Sequence, residues 1–186
     1  RFRGLASEPL RCVKFGMTKG QTIRKRINGQ YCGKSHRASI ARMLVGDALI
    51  GHSILECRNL AGIPAENLAA FRELWNVGSS EGNVLQKRPA IAREFGLKIP
   101  EDVRKLEATL EAKVTDIIRE WRFAAIPAGE ADIDLIEDSA NSLLSDLSKI
   151  DPATDDWLGK HSSRVPVRER GLWASNGVEG GRLYCS

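Results

Sequence analysis

The sequence predicts an α/β (α+β) fold in which helices flank a small sheet. Three observations carry that expectation. Short apolar runs at 11–15 (RCVKF) and 122–126 (RFAAI) have strand length, and turn residues bound them. Elsewhere, apolar residues recur at steps of three and four, the mark of helices with one buried side. The chain has 186 residues, 42% hydrophobic and 28% charged, which suits one packed domain or a domain with a large insertion.

Residues 2–5 read as the tail of a partner strand to 11–15, across a turn at 6–9. A helix follows at about 21–29, with Ile23 and Ile27 one turn apart on its buried side, and Asn28-Gly29 ends it. A basic loop at 33–37 leads into a second helix with Ile40, Met43, Leu44 and Ala48 at helical spacing. Residues 52–64 are ambiguous. The segment 66–75 is amphipathic through Leu68, Phe71 and Trp75, and 78–83 is a loop. Pro100 opens a helix through Val103, Leu106 and Leu110 that continues to Trp121.

The helix expected at 132–150 has the most regular pattern. Ile133, Ile136, Ala140, Leu143, Leu147 and Ile150 alternate steps of three and four, which predicts a buried a/d stripe. Glu137 takes the flank position that Leu144 occupies one heptad later, so it is expected half-buried, and burial without a partner is costly. It reads either as a surface glutamate at the stripe's edge or as a carboxylate aimed at a metal. In the tail, Trp157 and Trp173 read as packing anchors, as does Trp121 before it.

The net charge is +4, but it is segregated. Residues 1–52 hold eleven Lys and Arg against Glu8 and Asp47, whereas 130–156 hold nine acids against Lys149. A polyanion partner at the basic end, and a cation or a hydrated face at the acidic one, would account for this. Two ordinary solvated faces would as well. The cysteines at 12, 32, 57 and 185 form no C-x-x-C pair. Cys32 and His36 offer two metal ligands without a second pair at zinc spacing. Free thiols in a reducing, cytoplasmic compartment are therefore expected, and no apolar run reaches the length of a membrane span. The first residue is Arg1 rather than Met, so the N-terminus is expected to lie upstream.

Two stretches come close to a phosphate-binding P-loop. That loop needs four residues between its glycines and then Lys-Ser/Thr, because those groups reach the phosphates and magnesium. "GMTKGQT" has three intervening residues and Gln21 in place of the lysine, and "NGQYCGKS" places its earlier glycine one position off. Nucleotide binding is therefore not the expected role of these cations.

A different match fits the order of elements. "VKFGMT", the cationic "RKRINGQY" and the later "DLIEDSANSLL" resemble the GIY-YIG nuclease superfamily. "HRASIARMLVGDALI", "IIREWRFAAIP" and "DPATDDWLGKHS" with "VRERGLW" resemble a bacterial branch of it. The resemblance spans most of 1–173, apart from about 53–112. It implies a small, mainly antiparallel three-stranded sheet flanked by helices, with 11–15 and 122–126 as strands of one sheet. It further implies a catalytic domain at 1–150, a helical insertion at about 53–112, and a C-terminal extension at 151–186 packed on the domain.

Residue by residue, Lys14-Phe15-Gly16 stands at the YIG place, with Lys14 where the family usually has tyrosine. Arg26 matches the family arginine, and Gln30-Tyr31 the HY-like pair, with glutamine where histidine is frequent. Glu137 matches the metal-binding glutamate, while "DPATDD" lacks the asparagine some members use. The GIY strand with its tyrosine is expected before Arg1. The resemblance thus implies a metal-dependent DNA endonuclease using Mg²⁺ or Mn²⁺, with Lys14, Arg26 and Glu137 catalytic and Glu137 on the metal. Lys19, Arg24, Lys25, Gln30, Tyr31, Lys34 and Arg37 would contact nucleic acid. The alternative is a catalytically inactive nucleic-acid-binding module on the same scaffold.

Overall fold

The structure is a computed structural model that describes residues 14, 20–33, 35–36, 39–76, 101–123, 132–150, 157–171 and 173. Helix α1 (Ile23–Arg26) starts at Thr22, whose hydroxyl accepts the Lys25 N–H at 3.2 Å and caps the first turn. Winding then widens into a π turn, Ile27–Tyr31, closed by the Cys32 N–H donating to the Ile27 carbonyl at 2.8 Å. Helix α2 (Ile40–Leu55) is capped by Ser39 and buries residues on every side, including Leu44, Val45, Ala48 and Ile50. A helix buried on every side belongs at the centre of a core, and the charged Arg42 and Asp47 it carries there must be paired.

Three elements surround α2. Helix α3 (Leu68–Asn76), entered through a 3₁₀ turn at Ala65–Asn67, presents Leu68, Phe71, Leu74 and Trp75. Gly46 makes that approach possible, because a Cβ there would collide with the Trp75 indole. Helix α4 (Glu101–Arg119) adds Leu110, Val114 and Ile118, one turn apart along one face. A 3₁₀ turn at Leu158–His161 closes the remaining side, where Gly51 lies against the His161 carbonyl. Helix α6 (Val165–Arg170) follows, ended by Gly171 at φ +62°. Trp173 packs between Trp121 and Trp157, with ring centroids 6.3 and 4.5 Å away.

The expected sheet is not found among the described residues. The sole extended pairing there is an isolated bridge between Leu60 and Ile63, set in a turn where Cys57, Ala61 and Gly62 have positive φ. Of the expected strand 11–15, only Lys14 is described; it is half-buried in irregular backbone. Of 122–126, Arg122 and Phe123 are described, irregular and exposed, and 2–5 lies outside the described residues. The physical reason, among the described residues, is that α3, α4 and the 158–161 turn cover the central helix, so the core there is built mostly of helix side chains, with Leu60, Ile63 and Trp173 added from turns.

Two local expectations also change. Ile23 is 47% exposed, because α1 is a single turn before the winding widens. Helix α5 (Ile133–Ile150) forms where expected, but its stripe is not buried: Ile136, Leu143 and Leu147 are 40%, 59% and 48% exposed.

Candidate functional site

The site grows from the π turn. An insertion of one residue per turn re-aims the side chains that follow, which is why such turns recur at functional positions. Here it separates Arg26, the last α-helical residue, from Tyr31 at its own end. The Tyr31 ring is half-buried, packed on the core and tilted against Phe123 with centroids 5.8 Å apart.

Burial pushes the Tyr31 hydroxyl above its usual pKa of 10.0; the charge and hydrogen bond of Arg26 oppose that rise, and the negative charge of Glu137 adds to it. Arg26 and Glu137 therefore both lie within the electrostatic reach of Tyr31, although more than a hundred positions separate Glu137 from Tyr31. Tyr31 stays protonated at neutral pH and is a hydrogen-bond donor there. Arg26 is half-buried, and its Nε is buried with no hydrogen-bond partner among the described residues. Glu137 is also half-buried. An always-charged fork and a carboxylate thus both act on one partly desolvated phenol, where charge effects exceed those in water.

The remaining sequence candidates divide. Arg24 and Lys25 are exposed on α1. Gln30 is described in backbone only, as part of the π turn. Lys19, Lys34 and Arg37 lie outside the described residues. Lys14 is half-buried.

Sequence reasoning missed a buried polar group behind the π turn. Arg42 is fully buried; its Nε donates to Glu111 Oε2 at 3.1 Å, and its Nη1 donates to the Tyr31 carbonyl at 2.6 Å. Glu111 Oε1 accepts both the backbone N–H of His36 and its ring Nδ1–H, the latter at 2.7 Å. The His36 ring stacks on Trp75 with centroids 3.7 Å apart. Burial alone would raise the Glu111 carboxyl, but hydrogen bonds from His36 and Arg42 hold it below its ordinary value. The available signal was a charged residue set among the apolar positions of α2, where only a paired charge is tolerated.

A family model described as GIY-YIG domain matches residues 11–182. The chain belongs to the GIY-YIG domain family. No curated protein and no solved structure matches it. GIY-YIG domains are a nuclease family, and the matched span takes in Lys14, Arg26, Tyr31 and Glu137. Among the described residues, no three His, Cys, Asp or Glu side chains gather as a metal cage. A lone carboxylate suits a hard cation such as Mg²⁺, which keeps most of its waters and binds through one or two carboxylates and the substrate's phosphate. No helix among the described residues of this GIY-YIG chain is long and apolar enough to cross a membrane.

Proposed function

We propose that this protein is a metal-dependent endonuclease that hydrolyses DNA phosphodiester bonds. The observation that carries the proposal is that Arg26 and Glu137 both act electrostatically on the half-buried Tyr31 in a chain of the GIY-YIG family. Phosphodiester hydrolysis requires an activated water, neutralisation of the phosphate and relief of charge on the leaving oxygen. Arg26 pairs with the nonbridging oxygens, and its Nε–H, without a partner among the described residues, supports such a role. Tyr31, protonated, donates a hydrogen bond to a phosphate oxygen. Lys14, at the YIG position, holds the attacking water or lowers the pKa of a tyrosine other than Tyr31.

Glu137 would hold the Mg²⁺ or Mn²⁺ ion, whose chemistry is Lewis-acid polarisation of the phosphate and stabilisation of the leaving group. Arg24, Lys25, Lys19, Lys34 and Arg37, with Gln30, engage flanking phosphates. The catalytic unit is 1–150 with its insertion at about 53–112, and 151–186 is an extension.

The test is Glu137→Gln in the full-length protein with duplex DNA and Mg²⁺. The shape is kept and the anionic ligand lost, so cleavage should fall by orders of magnitude, about what several kcal/mol of transition-state stabilisation represents. DNA affinity should survive. A variant that cuts as fast as the wild type would remove Glu137 from the mechanism. A wild type that binds DNA and never cuts it would make the protein a binding module.

A further inference from the structure

Residues 31–36 lead from the π turn to the start of α2, and one buried ion pair grips both ends of this segment. At its start, Arg42 Nη1 donates to the Tyr31 carbonyl at 2.6 Å. At its end, Glu111 Oε1 accepts the His36 backbone N–H and ring Nδ1–H. The two grips are joined, since Arg42 Nε and Nη2 both donate to Glu111 Oε2. The rest of the guanidinium is fixed as well: Nη2 donates to the Glu111 carbonyl at 3.0 Å and to Thr115 Oγ1 at 2.9 Å. Gly33, between the grips, turns so tightly that a Cβ would collide with the Gly29 carbonyl.

We infer that Arg42 and Glu111 are positioning residues that set the aim of Arg26 and Tyr31, an assignment that rests on the nuclease reading. Neither touches the reacting atoms; both act through the backbone at Tyr31 and His36. A buried ion pair is a poor source of stability, because desolvation offsets its attraction. Burying two charges instead fixes one geometry, since a planar fork held through all three of its nitrogens permits one placement of the carbonyl it holds. Reacting groups need that precision, and a displacement of about 1 Å can lower a rate about 100-fold.

The discriminating variant is Arg42→Met with Glu111→Leu in the full-length protein. It removes both charges together, so no buried charge is left unpaired and the core stays apolar and filled. Arg42→Lys is the second variant, which keeps the charge and loses the reach to the Tyr31 carbonyl. Three quantities are read: DNA affinity, the single-turnover cleavage rate at saturating DNA with Mg²⁺, and amide hydrogen exchange across 27–36. Positioning predicts unchanged affinity, faster exchange across 27–36 and a cleavage rate lowered about 100-fold per folded molecule. A folded double variant that cuts at the wild-type rate overturns the assignment, and so does unchanged exchange across 27–36. A wild type that cuts no DNA defeats the nuclease reading instead, and the exchange measurement still reports whether the ion pair holds the segment.

Discussion

The Nε–H of Arg72 donates to Asp47 Oδ1 at 2.7 Å, in a site where the aspartate is fully buried and the arginine partly so. Asn76 donates to the same oxygen at 2.7 Å, while Ser162 Oγ and the Ser163 N–H donate to Oδ2, both at 2.6 Å. Arg72 also donates to the His161 carbonyl. One carboxylate on the central helix therefore ties α3 to the segment that carries 158–163.

Acid should loosen that tie. Burial on its own would raise the Asp47 carboxyl, but hydrogen bonds from Arg72, Asn76 and Ser162 and the charge of Arg72 hold it below its ordinary value of 3.8. A carboxyl depressed in the folded state contributes stability that is complete above the unfolded pKa and is lost as pH falls through the folded one. Glu111 has the same sign. Urea unfolding followed with pH should show a loss of stability beginning near pH 4, and Asp47→Asn should flatten it. At neutral pH, Asp47→Ala leaves Arg72 with the His161 carbonyl but without its carboxylate, and should cost about 3 kcal/mol, the low end for breaking a buried pair.

A weaker pH dependence should appear nearer neutrality. Burial, then the positive charges of His52 and Lys160 and, more weakly, of Arg72, lower the His161 pKa below 6.5, with Glu56 acting the other way. The His52 and His161 rings are 4.7 Å apart. With the folded pKa lowered, the unfolded chain takes up the proton first, so stability is complete above pH 6.5 and declines as pH falls below it. His161→Gln should remove that decline in thermal unfolding scans while keeping the backbone carbonyl that Arg72 holds. A variant whose Tm still falls over that range would assign the decline to other groups.

Binding to DNA should depend on salt through the exposed cations of α1. Arg24 and Lys25 are solvent-exposed, so replacing either with Ala should weaken affinity on any sequence and reduce the salt slope by about 1. Lys34→Ala and Arg37→Ala should behave alike. Single-turnover cleavage at saturating DNA should be spared in all four. A titration between low and moderate salt checks this, and a slope unmoved by either α1 substitution would place the phosphate contacts elsewhere.

Much of the helical frame was legible because burial on one face imposes a period. Ile40, Met43, Leu44 and Ala48 marked α2, and Leu68, Phe71 and Trp75 marked α3. The π turn was not legible, since the residue types of 27–31 are compatible with an ordinary helix end and the wider winding exists only as a hydrogen-bond pattern. The ion pairs behind the site were hidden for another reason. Arg42 finds Glu111 at a separation of 69 positions, and Asp47 finds Ser162 at 115, so nothing local announces either pairing. The α5 stripe shows the opposite failure. Its spacing is regular, yet Leu143 and Leu147 are exposed, because periodicity states which residues share a face and not what covers that face. Of the catalytic candidates, Glu137 was marked by its place beside the stripe and then by family resemblance, Arg26 was singled out from its cationic neighbours by resemblance, and both act on the Tyr31 hydroxyl.

The packing beneath the site makes a last prediction, at Gly46. A methyl group added there would run into the Trp75 indole. That ring cannot easily give way: its Nε1–H donates to the Met43 carbonyl at 2.9 Å, and its face is stacked on His36. Gly46→Ala gains about 1 kcal/mol of helix propensity, whereas forcing a methylene into a filled core costs about 1–3 kcal/mol. The core term should win, so Gly46→Ala is expected to be net destabilising, and Gly46→Val more so. Displacing Trp75 also pushes on His36, and through it on Glu111 and the end of the 31–36 segment. Gly46→Ala should therefore lower the cleavage rate per folded molecule along with the unfolding midpoint. If Gly46→Ala instead raises the midpoint, as a helix-interior alanine on a free surface would, α2 and α3 do not pack at this distance.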